Sequence, residues 1–123
     1  MMSRTAEIKL NVDLDGDNLP TRIEWEASEA GKDGPQTSQS MLLSLWDSDN
    51  KTAAAIDLWT KEMTVEDMNL FYYQVFHRLA DSYLRATKNT DVAKLIHAFG
   101  DDFGHALGLL EQSDPKQDEL LDT

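Results

Sequence analysis

Asp13, Asp15 and Asp17 alternate across Asp13-Leu14-Asp15-Gly16-Asp17, and Glu24 stands twelfth counted from Asp13. Alternating carboxylates with a further acid at the twelfth place are the raw material of an oxygen-ligated calcium loop. An EF-hand loop, however, needs its glycine at the sixth position and a helix on either side. Here the glycine is fourth, and both flanks alternate as strands do. Glu24 would then point outward from a strand. The competing reading is a hairpin turn, where glycine supplies positive φ and the Asx side chains bond their own backbone. The turn is the stronger reading.

A second candidate is the row His97, Asp101, His105, spaced by four residues along one helical face. Two imidazoles and a carboxylate can hold zinc or iron. Ligands eight residues apart nevertheless lie about 12 Å apart along a helix axis, too far to meet on one ion without bending. A solvated polar stripe opposite Phe99 and Phe103 outweighs a metal site. His77, beside Phe76, reads as a boundary histidine.

Other chemistry is scarce. Neighbouring acids such as Asp101-Asp102 or Glu66-Asp67 carry no diagnostic weight in a chain with 23 acidic residues. No GxGxxG, P-loop, HExxH or GxSxG pattern occurs. Without cysteine there is no disulfide, thiol nucleophile or cysteine–zinc site. The sequence therefore reads as non-enzymatic, with no catalytic residues and no cofactor. A formal charge of −12 opposes nucleic acid and anionic membrane surfaces, whose phosphates need cations to meet them. The chain starts without an apolar leader segment and has no run of 18 apolar residues, so the expectation is a cytoplasmic protein without direct membrane insertion.

The tryptophans point elsewhere. Trp46 and Trp59 sit in the near-mirrored pieces Leu45-Trp46-Asp47 and Asp57-Leu58-Trp59. If Leu45 and Leu58 face a core, Trp46 and Trp59 face away from it, beside Asp47 and Asp57. Tryptophan rimmed by acids is the composition of a partner-binding surface. The expected partner is a protein of unknown identity, and a homo-oligomer is compatible with the same surface.

These residues need elements to hold them. Ile8, Leu10, Val12 and Leu14 alternate with Lys9, Asn11 and Asp13, while Ile23, Trp25 and Ala27 alternate with Arg22, Glu24 and Glu26. That is a hairpin with one apolar face. Residues 29–40 lack periodicity and read as a loop. Residues 41–59 favour two more strands around the Asp47-Ser48-Asp49-Asn50 turn, with a short helix over 38–47 as the alternative. From Thr64 the period becomes 3.6. Thr64 with Asp67 suits an N-cap, and the helix should end near Lys88. A second helix begins near Thr90, buries Val92, Leu95, Ile96, Phe99, Phe103, Leu107 and Leu110, and carries Gly100, Gly104 and Gly108 at a spacing that suggests close packing. The expectation is an α+β fold, an antiparallel meander of three or four strands with a C-terminal antiparallel helix pair packed on one face. Residues 1–112 are read as one domain and 113–123 as an acidic, disordered tail.

Four segments also carry a likeness: Ile56-Asp57-Leu58-Trp59-Thr60-Lys61-Glu62-Met63, then Val65-Glu66-Asp67-Met68, Asp81-Ser82-Tyr83-Leu84-Arg85-Ala86-Thr87, and the strand Arg22–Ser28. With these the chain resembles the gliding-motility-associated GldC family of Bacteroidetes over roughly residues 6–110. The resemblance implies a small soluble protein associated with movement over surfaces, with no catalytic set and no cofactor. Thr52-Ala53-Ala54-Ala55-Ile56-Asp57 departs from the family pattern in its alanines, and the tail is unusually acidic. Protein–protein contact in motility is thus the leading functional expectation. A metal- or ligand-responsive domain, built on the acidic loop or the histidine row, is the alternative.

Overall fold

The computed structural model describes residues 3–110 apart from 30, 32 and 33, so the tail assigned to 113–123 lies outside the described residues. The chain forms two compact units that divide between Met63 and Thr64. The first holds antiparallel strands and the second holds two helices packed together, an α+β arrangement.

In the strand unit, β1 (Ile8–Leu14) and β2 (Pro20–Ala27) form the expected hairpin. Leu10 lies opposite Trp25 and Val12 opposite Ile23, which collects the apolar positions on one face; Lys9, Asn11 and Asp13 meet Glu26, Glu24 and Arg22 on the other. Ile23 is the best-buried large side chain of the unit, at 1% exposure. The segment read as a loop contains a third strand, β3 (Gln36–Ser38), antiparallel to β2. Its residues Gln36, Thr37 and Ser38 have no apolar alternation to announce a strand. The free backbone groups along the edge of β2 recruit it instead, and these are invisible in side-chain patterning.

The ambiguous block resolves into strands. β4 (Ser40–Asp47) and β5 (Thr52–Trp59) pair antiparallel from Ser40–Trp59 to Asp47–Thr52, and no helix forms over 38–47. Every residue of β4 gains a partner in that ladder, which outweighs a weak amphipathic stripe. The strands form two sheets, β1-β2-β3 and β4-β5, where the sequence suggested one meander.

In the helical unit, α1 (Val65–Thr87) starts where expected: Thr64 adopts extended backbone and its hydroxyl accepts from the Asp67 amide at 3.0 Å. Glu66 and Asp67 complement the positive end of the helix dipole. Lys88, at φ 64°, turns the chain, and its amide returns to the Leu84 carbonyl. Asn89 then caps α2 (Thr90–Ala106), accepting from the Val92 amide at 3.1 Å.

The two helices close on each other through small residues. Ala80 and Ala93 are buried, and Phe76 packs edge-on against Phe99 and Phe103 with ring centroids 5.0 Å away in each case. Gly100 and Gly104 are buried where α1 crosses them. A Cβ on Gly100 would stand 2.9 Å from His77 Nε2, and one on Gly104 would stand 2.8 Å from Tyr73 Cε1. Gly108 belongs to a different device. It adopts φ 76° just past α2, donating to the His105 carbonyl while Leu109 donates to the Gly104 carbonyl. This pair of bonds is a Schellman stop, so the glycine ends the helix and takes no part in its packing.

Gly104→Ala should therefore destabilise the protein by about 1–3 kcal/mol through overpacking against Tyr73, read as a lower midpoint in urea. A higher midpoint would show that Tyr73 moves aside freely and that the glycine is not a packing requirement.

Candidate partner-binding face

The β4–β5 register decides which side chains share a face. Ser40, Leu42, Ser44 and Trp46 lie opposite Trp59, Asp57, Ala55 and Ala53. Trp46 and Trp59 thus share a face, but at opposite ends of the hairpin. Six residues along β5 separate them, or about 20 Å. Both are largely exposed, at 63% and 54%.

Asp47 has another occupation. Its carboxylate accepts from the Asp49 amide at 3.0 Å and from Asn50 Nδ2 at 2.8 Å, closing the turn between β4 and β5. The Asn50 side chain, then the Asn50 backbone, hold its pKa below the usual carboxylate value. Asp57 lies mid-strand, exposed, opposite Leu42.

Around Trp59 the surface is concave. Asp57, Leu58, Trp59, Thr60 and Lys61 from the end of β5 join Leu19 and Pro20 from the start of β2 around a cleft of about 310 Å³. Thr60 is 3% exposed and its amide donates to the Gln39 carbonyl at 2.8 Å, fixing the exit of β5. A lining of one indole, three apolar residues and one charge of each sign can seat an apolar side chain and orient the polar groups beside it. Nothing in the sequence joined Leu19 and Pro20 to Thr60 and Lys61, since the two segments meet only in the folded unit.

What brings them together is Asp15. Its Oδ1 accepts from the amides of Asp17 and Leu19 at 2.8 and 3.1 Å, and its Oδ2 meets Lys61 Nζ at 2.5 Å. Asp15 therefore organises the β1–β2 turn and ties it to the end of β5. Glu24 pairs with Arg22 at 2.9 Å, and the Asp13 carbonyl receives the Thr21 hydroxyl. Among the described residues no three histidine, aspartate or glutamate side chains converge to hold a metal ion.

The histidine row is also rearranged. His97 Nδ1 lies 2.6 Å from Nδ1 of His77 on α1, and its Nε2 faces Asp81 at 3.2 Å. Asp101 faces His77 Nε2 at 3.3 Å. His105 stands apart, exposed in the last turn of α2. Sequence spacing on α2 alone could not bring in His77 and Asp81, which come from the other helix.

A unit of antiparallel strands followed by a capped helix pair defines a small α+β protein. Over residues 20–109 the chain matches the family described as "Gliding motility-associated protein GldC-like". The chain belongs to that family, and the likeness read from Ile56–Met63 and its neighbours falls within the matched span. No curated protein and no solved structure matches it. No helix among the described residues is long and apolar enough to cross a membrane.

The Asp15 contacts set a pH dependence. The Lys61 ammonium first, then the Leu19 and Asp17 amides, lower its pKa from 3.8 to about 2. Because the folded value lies below the unfolded one, the stabilising contribution is complete above pH 3.8 and is lost as pH falls through about 2. Carboxyl-carbon NMR should find Asp15 protonating near pH 2, and Lys61→Met should move that midpoint up toward 3.8. Millimolar calcium should leave the melting temperature unchanged. A rise of several degrees, abolished by Asp15→Asn, would restore the calcium-loop reading.

Proposed function

We propose that this GldC-like protein is a non-enzymatic accessory of gliding motility that acts by protein–protein contact through the Trp59 end of the β4–β5 face. The observation that carries this reading is the cleft of about 310 Å³ lined by Trp59, with Asp57 and Lys61 also in its lining. Exposed tryptophan over a concave floor is the composition from which interface hot spots are made. The formal charge of −12 favours a partner with a basic rim around an apolar anchor, and it steers such a partner in at low salt. Trp46, at the far end of the same face, extends the contact, while Asp47 supports it by holding the turn.

Because both indoles are largely exposed, Trp59→Ala and Trp46→Ala should each cost the fold well under 1 kcal/mol. Losing a hot-spot tryptophan removes about 2 kcal/mol or more of binding, roughly a thirtyfold loss of affinity. Trp59→Ala should therefore melt as the parent does, yet fail to restore gliding in cells lacking the native protein; Trp46→Ala should restore it partly. Full restoration by a folded Trp59→Ala protein would rule out the cleft as the contact. Unfolding of both variants would make the tryptophans core residues and move the search to the acidic side of the helices, around Glu66, Asp67 and Asp81.

A further inference from the structure

The planes of the His77 and His97 rings lie at 27° to each other, with centroids 4.9 Å apart and Nδ1 atoms separated by 2.6 Å. Two nitrogens that close need a hydrogen between them, because two bare lone pairs repel. Behind each ring stands a carboxylate, Asp101 on the His77 side at 3.3 Å and Asp81 on the His97 side at 3.2 Å. Ionised carboxylates only accept, so each Nε2 is best satisfied when it carries a hydrogen. His77 Nε2 is sealed from water and makes no aligned hydrogen bond, which leaves the charge of Asp101 as its main polar neighbour. Gly100 makes this burial feasible, since a Cβ there would press on that same nitrogen at 2.9 Å.

Counting hydrogens distinguishes the charge states. The arrangement accommodates three N–H groups, one between the Nδ1 atoms and one on each Nε2. Two neutral imidazoles carry only two, so one ring would turn a bare Nε2 toward a carboxylate. Two imidazolium rings carry four, and two N–H groups would then point at each other across the 2.6 Å gap. Only the singly charged pair places one hydrogen between the Nδ1 atoms and an N–H on the side of each carboxylate. Asp81 from α1 and Asp101 from α2 are the ionised groups turned toward it, while Tyr73 packs its ring edge-on against His77 at 4.9 Å.

We infer that His77 and His97 together form a binding site for one extra proton, held as an Nδ1–H···Nδ1 bridge that clamps α1 to α2. Loading the site with a second proton opens the clamp, because it replaces an attraction with two opposed donors and two like charges.

The test uses the full chain in a His105→Gln background, which removes the third imidazole from every readout. Long-range proton–nitrogen NMR between pH 5 and 8 should show one bridging proton, through-bond coupling between the two Nδ1 nuclei, and a hydrogen on each Nε2. Thermal melting should pass through a maximum in this window and fall by several degrees as the second proton enters. His77→Phe with His97→Phe keeps the ring volume and should erase the maximum. Two independent tautomers without coupling would overturn the inference, and the spectra give that answer even if the double variant fails to fold. So would a folded double variant that keeps the parent's pH profile. One equivalent of zinc chloride that raises the melting temperature and removes the bridging signal would make the pair a metal site instead.

Discussion

The helical unit depends on two absent methyl groups. With hydrogen in place of Cβ at Gly100 and Gly104, α1 can lay the rings of His77 and Tyr73 directly on the backbone of α2. Glycine within a helix costs about 1 kcal/mol against alanine, so its presence at two buried crossing points must be offset by the contacts it permits. Those contacts follow in order along α1: Tyr73 over Gly104, Phe76 against Phe99 and Phe103, and His77 over Gly100. The close approach also presents His77 to His97. Without it the two imidazoles could not stand within hydrogen-bonding distance.

The strand unit is organised by a polar group. Asp15 serves two backbone amides with one oxygen and Lys61 with the other, so a single carboxylate both shapes the β1–β2 turn and holds it near the exit of β5. Leu19 and Pro20 follow directly from that turn, and Thr60 and Lys61 follow directly from β5. Their meeting creates the cleft beside Trp59. An exposed ion pair contributes little to stability by itself. Its value here is positional, since it determines which residues surround the indole.

Membership of the GldC-like family gives these features a setting in gliding motility. The proposed contact surface and the proton clamp occupy different units and rest on different chemistry. One relies on an aromatic anchor and charge complementarity, the other on the hydrogen count of two facing imidazoles. Either can fail without the other.

Local periodicity was enough to determine much of this protein from sequence. The two-residue alternation through Ile23 and Trp25 set the first hairpin, and the change to a 3.6-residue period after Thr64 set α1, because buried faces repeat with the geometry of their element. Thr64 and Asn89 announced the helix starts through the hydrogen bonds their side chains can make. The spacing of Gly100 and Gly104 likewise pointed to close packing. Tertiary structure alone decided the rest. β3 exists because β2 has an unpaired edge, not because Gln36, Thr37 and Ser38 favour a strand. Asp15 ties the β1–β2 turn to the exit of β5 because Lys61 arrives beside it from a distant part of the unit. His97 found its partners across the helix pair, while its neighbours on the same helical row did not converge on it. Periodicity tells a side chain which face it occupies; only folding chooses which distant residue stands opposite.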